Sequence, residues 1–333
     1  MSLRFEATTS PTAQQLDALA HLSPHSPFHS APYAEARAAL GDTSCLLGLY
    51  NESELVTGCI GFLRGRRFAR SLEITSAPAL STPEPFWAGV RGYCRKQRVW
   101  DLHIESYAAK EVSLPSWPGE VSRRQRLEFV LDLSQPIEQS MLSSGHRRNV
   151  GRARRHGLTI DRSCDPAAAR AHSQLIESSM QRRRLRGEAL STHDQTQFFE
   201  AMLRIGAAEV FRANDGANLL SSIMLLRSKE GAYYQSAGTS PEGMQKGASH
   251  YLVFEAACAL KDAEIRAFNL GGAQPEDAGL QRFKSGFGAR EIPLEAAEFC
   301  LVSPVKRKLR SAARLARNQC ENLLRPLVRD RKT

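Results

Sequence analysis

One order of elements occurs twice along the chain, and a repeat on that scale restricts the fold before any single residue is weighed. In the first half, helix signals at residues 12–20 and 32–40 precede apolar strands at 44–50 and 55–63, joined by a turn at 51–53. A helix at 85–97 follows, then strands at 99–106 and 126–133. From Leu158 the order returns: a strand at 158–162, a helix capped near Asp165 and Pro166, and another from Thr192. Strands at 208–213 and 218–227 flank the hairpin turn Asn214-Asp215-Gly216, and a third runs over 231–237. A long amphipathic helix then reaches Asp262, before strands at 265–270 and 291–301. Both halves are α/β. The pattern predicts a mixed α+β fold of two tandem domains, 1–157 and 158–303, each a mixed central sheet flanked by helices. Between them, residues 132–134 are expected to open a helical segment that 145–156 continue as a strongly basic one, stopped at Gly157.

With 333 residues, 42% of them hydrophobic, each half can bury its own core. Seven scattered cysteines form no CxxC pair and have no histidine at zinc-ligand spacing, which argues against a disulfide scaffold or zinc ribbon. His21, His25 and His29 have the spacing of a metal-binding helix face, but Pro24 and Pro27 interrupt the helix this would need, so no metal is expected. The start lacks a signal-peptide core, and no run of eighteen apolar residues occurs, so a soluble, cytoplasmic protein is expected. A net charge of +10 points to anionic partners: tRNA, coenzyme A phosphates, nucleotide sugars or an acidic lipid surface. Residues 304–333 pattern as a basic amphipathic helix, which suits docking on the protein or peripheral contact with an anionic membrane.

The strand at 233–238 leads through a loop at 239–246 into a helix starting at Gly247-Ala248-Ser249. A helix start presents unpaired N–H groups and partial positive charge, and phosphate binds there readily. Ser249 is expected to cap the helix, with Lys246 adding a charge beside the phosphate.

Several segments, taken in order, resemble the FemAB-like acyltransferases of the GNAT superfamily. They are residues 27–36; Leu127-Glu-Phe-Val-Leu-Asp-Leu133 followed by 146–160; Asp215-Gly216; Gly231-Ala-Tyr-Tyr234 with Gly247; Phe268-Asn-Leu-Gly-Gly272; and Phe283-Lys-Ser-Gly-Phe-Gly288. The resemblance implies two GNAT-like domains and transfer of an acyl or aminoacyl group to an amine or hydroxyl. The donor would be acyl-CoA or aminoacyl-tRNA, and the acceptor a small-molecule, sugar or lipid-linked precursor. A catalytically silent GNAT fold that binds membranes or an assembly is the third reading. The family usually has Asp where this chain has Asn269, which puts any role needing a carboxylate there in doubt. No coiled-coil arm interrupts the second half, which favours the shorter branch and CoA.

Acyl transfer needs an aligned nucleophile, a donor to the carbonyl oxyanion and a route for the proton. The resemblance places the oxyanion donor, a backbone N–H, near Gln235 to Ala237, and makes Lys284 the side chain that stabilises charge at the acyl group or at the donor's phosphate. Tyr233 and Tyr234 alternate across their strand, so one faces the core and one the cleft. Phe283 and Phe287 wall the site or fill the core. Arg148 and Arg152 belong to one basic run, Arg184 to another, and the two runs bracket a strand in a way that suits a groove for a polyanion.

Overall fold

The computed structural model describes residues 3–66, 69–110, 112–188 and 194–302. The first half contains β1 (Leu3–Thr9), α1 (Ala13–Leu22), α2 (Ala31–Ala39), β2 (Thr43–Asn51), β3 (Glu54–Arg66), β4 (Ala69–Ile74), α3 (Pro83–Gln97), β5 (Val99–Ile104) and β6 (Glu120–Asp132). A basic helix, α4 (Ser144–Arg155), crosses to the second half. There follow β7 (Thr159–Ser163), α5 (Ala168–Leu185), α6 (Thr196–Ile205), β8 (Ala208–Asp215), β9 (Asn218–Arg227) and β10 (Gly231–Thr239). The chain continues with α7 (Pro241–Lys246), α8 (Ala248–Asp262), β11 (Ala267–Ala273), α9 (Ala278–Ser285) and β12 (Arg290–Cys300). The element order thus repeats, but the two halves do not each carry a separate sheet as expected.

All twelve described strands form one sheet, in the order β1-β2-β3-β4-β5-β12-β6-β11-β10-β9-β8-β7. At its centre the halves exchange their last strands. β6 pairs antiparallel with β11 of the second half, β12 pairs antiparallel with β5 of the first, and the two exchanged strands pair with each other from Arg290 opposite Val130 to Phe299 opposite Glu120. Two faces of the second half's sheet carry separate cores. Phe211, Ile223, Leu225, Phe129 and Phe268 pack under α4 and α8, whereas Val210, Met224 and Leu226 pack under α5, α6 and the first half's Phe28 and Tyr33.

The halves differ where a parallel pair of strands meets. β4 and β5 stay paired from Arg70 to Ile74, and a further bridge joins Ser76 to Ser106. β10 and β11 pair only from Gly231 to Tyr233 against Ala267 to Asn269. Beyond that both strands bulge, β10 between Tyr234 and Ser236 and β11 between Asn269 and Gly272, and the pair opens.

Several expectations change. β1 and β4 were not read from the sequence. β6 runs to Asp132, whose Oδ1 then accepts the Ser134 N–H at 2.9 Å; this local turn replaces the expected helical start, and α4 begins only at Ser144 under a Ser143 cap. The loop expected at 239–246 contains α7, capped by Ser240 and ended by Gly247 in the left-handed conformation (φ 76°). Gly247 also starts α8, and no side chain caps that helix, so Ser249 is not a cap. The second helix of this half starts at Thr196, and Thr192 lies outside the described residues, as does the tail at 304–333.

Candidate active site

The opening between β10 and β11 gathers the polar groups. Glu128, on the exchanged strand β6, is fully buried. Its Oε1 accepts from Arg126 Nη2 (2.9 Å) and the Tyr233 hydroxyl (3.0 Å); its Oε2 accepts from Asn269 Nδ2 (2.7 Å) and the Ala108 N–H (2.9 Å). Both oxygens are thus satisfied twice, the condition under which a buried acidic group is tolerated. Arg126 also reaches Glu105 at 3.1 Å and lies over the Tyr107 ring at 3.9 Å. Asn269 Oδ1 accepts the Gly271 N–H at 2.8 Å, which holds the β11 bulge in shape. At position 269, where the family phrase leads one to expect a carboxyl group, the chain has an amide, which donates to the buried Glu128 carboxylate on the neighbouring strand.

Lys284 stands against this network. It is buried at 5% exposure on α9, and its Nζ donates to the Gly272 carbonyl at 2.6 Å. Desolvation lowers its pKa to about 8, with Glu128 pulling it back up. Gly271 has φ 75°, and a Cβ there would lie 3.0 Å from the Tyr234 carbonyl oxygen, 3.5 Å from Lys284 Nζ and 3.7 Å from the Tyr233 hydroxyl, so these three groups converge on one small space. Burial, and then Glu128, raise the Tyr233 pKa well above the usual phenol value, so it stays protonated at neutral pH. Tyr234 points to the other face and packs on the core beneath α8, its ring centroid 5.9 Å from Lys284 Nζ.

The phrase 283–288 is anchored from behind by α4. His146 Nε2 lies 2.8 Å from the Phe283 carbonyl and its Nδ1 2.9 Å from Ser143 Oγ, while the Gly286 carbonyl accepts the Ser143 N–H at 2.8 Å. Phe287, at 2% exposure, and the half-buried Phe283 pack around the His146 and His250 rings. Phe287 is thus a core residue, and Phe283 lies between core and cleft.

Gln235 sits at the β10 bulge with no partner on β9 and lines two adjoining cavities, of about 590 and 680 Å³. At the start of α8, a Cβ on Gly247 would fall 2.5 Å from the Asn149 carbonyl oxygen of α4, so close helix packing already requires glycine there. Ala248 is buried, and Ser249 Oγ lies 3.5 Å from His250 Nδ1. Lys246 is held by Asp215 and Glu242. Arg152 donates to the Gln245 carbonyl at 3.1 Å; Arg148 and Arg184 are exposed. The two arginine runs ride on helices packed on opposite faces of the sheet; Arg182 donates to the Thr239 carbonyl at the end of β10, and Arg152 to the Gln245 carbonyl on α7.

Glu128 was not singled out in the sequence. Arg126, Glu128 and Val130 alternate with Leu127, Phe129 and Leu131, a pattern that reads as one wet face; here Tyr107 and Ala108 of the first half and Tyr233 and Asn269 of the second close over Arg126 and Glu128.

A parallel strand pair, β10 and β11, that opens at a bulge with α7 and α8 between the two strands makes the fold of the second half GNAT-like. Residues 144–285 match the family model described as an acetyltransferase (GNAT) domain. Among solved structures the chain is similar to FemX, with a TM-score of 0.65 and 12% identity over 88% of this chain and 96% of that one. It is also similar to the C-terminal domain of a putative lysylphosphatidylglycerol synthetase from Agrobacterium fabrum, with a TM-score of 0.52 and 13% identity over 86% and 92%. L-PGS from Bacillus licheniformis gives a TM-score of 0.51 and 12% identity over 92% and 97%. At such identities these likenesses speak for the fold. No curated protein matches the sequence. No described helix is long and apolar enough to cross a membrane.

Proposed function

We propose that the chain transfers an acyl group from an acyl-CoA thioester to an amine or hydroxyl of a small polar, sugar or lipid-linked acceptor, with the reaction centre where β10 and β11 diverge. One observation carries the reading: a desolvated lysine, a protonated phenol and an open strand bulge meet at Gly271. Backbone N–H groups at the Gln235 bulge suit the developing oxyanion, and the Lys284 ammonium adds charge where water is scarce. Glu128 and Asn269 fix the Tyr233 hydroxyl and the β11 bulge. The donor's phosphates suit the start of α8, where helix N–H groups have no intrahelical acceptor. Arg152 and Ser249 stand beside it.

A second reading, with aminoacyl-tRNA as donor, is favoured by the exposed Arg147, Arg148 and Arg155 along α4. Thermal shift separates the two: coenzyme A at 100 times its Kd should add about 2.7 kcal/mol of stability. Thiol release from acetyl-CoA across a panel of amines and alcohols should be lost in Lys284→Ala with the circular dichroism spectrum unchanged. No shift with coenzyme A, together with a retarded band for tRNA, would replace the first reading by the second. Wild-type turnover in Lys284→Ala would sink the role given to that lysine.

A further inference from the structure

On the face of β10 covered by α5 and α6, three polar side chains meet that play no part in the arrangement around Lys284. His172, on α5, has no exposed surface. Its Nδ1 lies 2.7 Å from Ser222 Oγ on β9 and its Nε2 2.8 Å from Ser236 Oγ on β10, and the Phe199 ring packs edge-on against it at 5.1 Å. Ser222 is fully buried, and Ser236 lines a cavity. That cavity is the groove of about 680 Å³ between α5 and α6, and Ser236 follows directly on Gln235, the residue left unpaired at the bulge. We propose that Ser236 and His172 form a proton relay serving an acceptor amine or hydroxyl held in this groove, a step that rests on the acyl-transfer reading above.

A neutral imidazole offers one donor and one acceptor nitrogen. With Nδ1–H donating to Ser222 Oγ, the Nε2 lone pair accepts the Ser236 hydroxyl proton. Both hydrogen-bonding partners of His172 are hydroxyls, and burial pushes its pKa down to about 4, so the ring is neutral at physiological pH and passes on any proton it receives. In the step, the acceptor's nitrogen or oxygen bonds to the acyl carbon as its proton moves to Ser236 Oγ and the Ser236 proton moves to His172 Nε2. The bond from the acyl carbon to the leaving group breaks, and the imidazolium proton returns through Ser236 to the departing thiolate. Ser236 touches the acceptor and is the catalytic residue; His172 acts through it, and Ser222 fixes the tautomer. Gln174, Glu177, Asp194 and Gln195 on the groove wall suit a polar acceptor rather than a long alkyl chain.

A fluorophosphonate tests the relay without knowledge of the substrates. It makes Ser236 Oγ the attacking atom: Oγ bonds to phosphorus, fluoride leaves, and the proton passes to His172. Peptide mapping of the full-length protein should find Ser236 labelled about 100-fold faster than in the urea-unfolded chain, with that excess lost in His172→Gln. Equal rates folded and unfolded, or equal rates in wild type and His172→Gln, overturn the relay. Where His172→Gln fails to fold, the folded-to-unfolded ratio of the wild type decides alone. In transfer from acetyl-CoA, Ser236→Ala should lower kcat about 100-fold at unchanged KM; unchanged kcat counts against the relay. Fast labelling of Ser236 with no thiol release from acetyl-CoA keeps the relay and overturns the donor, so the two failures are distinct.

Discussion

A lysine that the fold removes from water carries its cost into stability. Unfolded, Lys284 titrates near 10.5; folded, desolvation brings it to about 8. Below pH 8 both states hold the proton and the folded chain bears a buried charge, which costs about 3 kcal/mol. Between pH 8 and 10.5 the unfolded state binds more protons, so stability rises through that window and the cost is gone above it. Lys284→Met should therefore raise the urea midpoint at pH 7, by about 2 kcal/mol after loss of the bond to Gly272, and lose that advantage by pH 10.5. Equal midpoints at pH 7 would show that the ammonium is not desolvated. Asn269→Asp makes the complementary test. It would set a second carboxyl group where the amide now donates to Glu128 at 2.7 Å, so the new group should have a raised pKa and bind more protons folded than unfolded. The variant should lose about 3 kcal/mol at pH 7 and recover as the pH falls below that raised value, read from urea titrations at pH 7 and 5. The neutral residue at 269 looked like a lost function in the sequence; beside Glu128 it is what allows one carboxyl group to be fully satisfied.

Among the elements, the clamp between α4 and the 283–288 segment explains why that phrase is legible and α9 is not. Gly288 adopts the left-handed conformation (φ 81°), and Gly286 has a contact that demands it. A Cβ on Gly286 would lie 2.4 Å from a carbon of the His146 ring. Gly286→Ala should shift α4 and cost about 1–3 kcal/mol, read as a lowered denaturation midpoint. An unchanged midpoint would mean that the ring moves freely aside. The eight residues of α9 sit between an Asp277 cap and Gly286, too short for a hydrophobic period to show, so no helix was read there. The long apolar strands, β2, β3, β8 and β9, were legible because each carries a continuous run of buried residues. β1 and β4 were not, since neither carries a run of fully buried side chains. α7 hid behind its glycine and proline, which read as loop punctuation but here cap and close a single short helix.

For the whole molecule, the exchange of β6 and β12 sets how the halves can unfold. The repeat of elements could be read from local pattern. The exchange could not, because strand pairing across more than a hundred residues leaves no trace in hydrophobic period. Each half supplies the strand that completes the other's sheet, and the Glu128 network spans both, from Ala108 and Arg126 to Tyr233 and Asn269. Opening one half strips a strand from its partner, so the two should melt together. The sequence supplies a convenient reporter, since Trp87, Trp100 and Trp117 all lie in the first half. Tryptophan fluorescence therefore follows the first half, while far-ultraviolet circular dichroism follows both. In a urea titration the two probes should give superimposable transitions, and Glu128→Ala should lower both midpoints together by about 3–5 kcal/mol, because it leaves Arg126 without its buried partner. Separate midpoints, with fluorescence unmoved by the variant, would mean that the exchanged strands do not couple the halves.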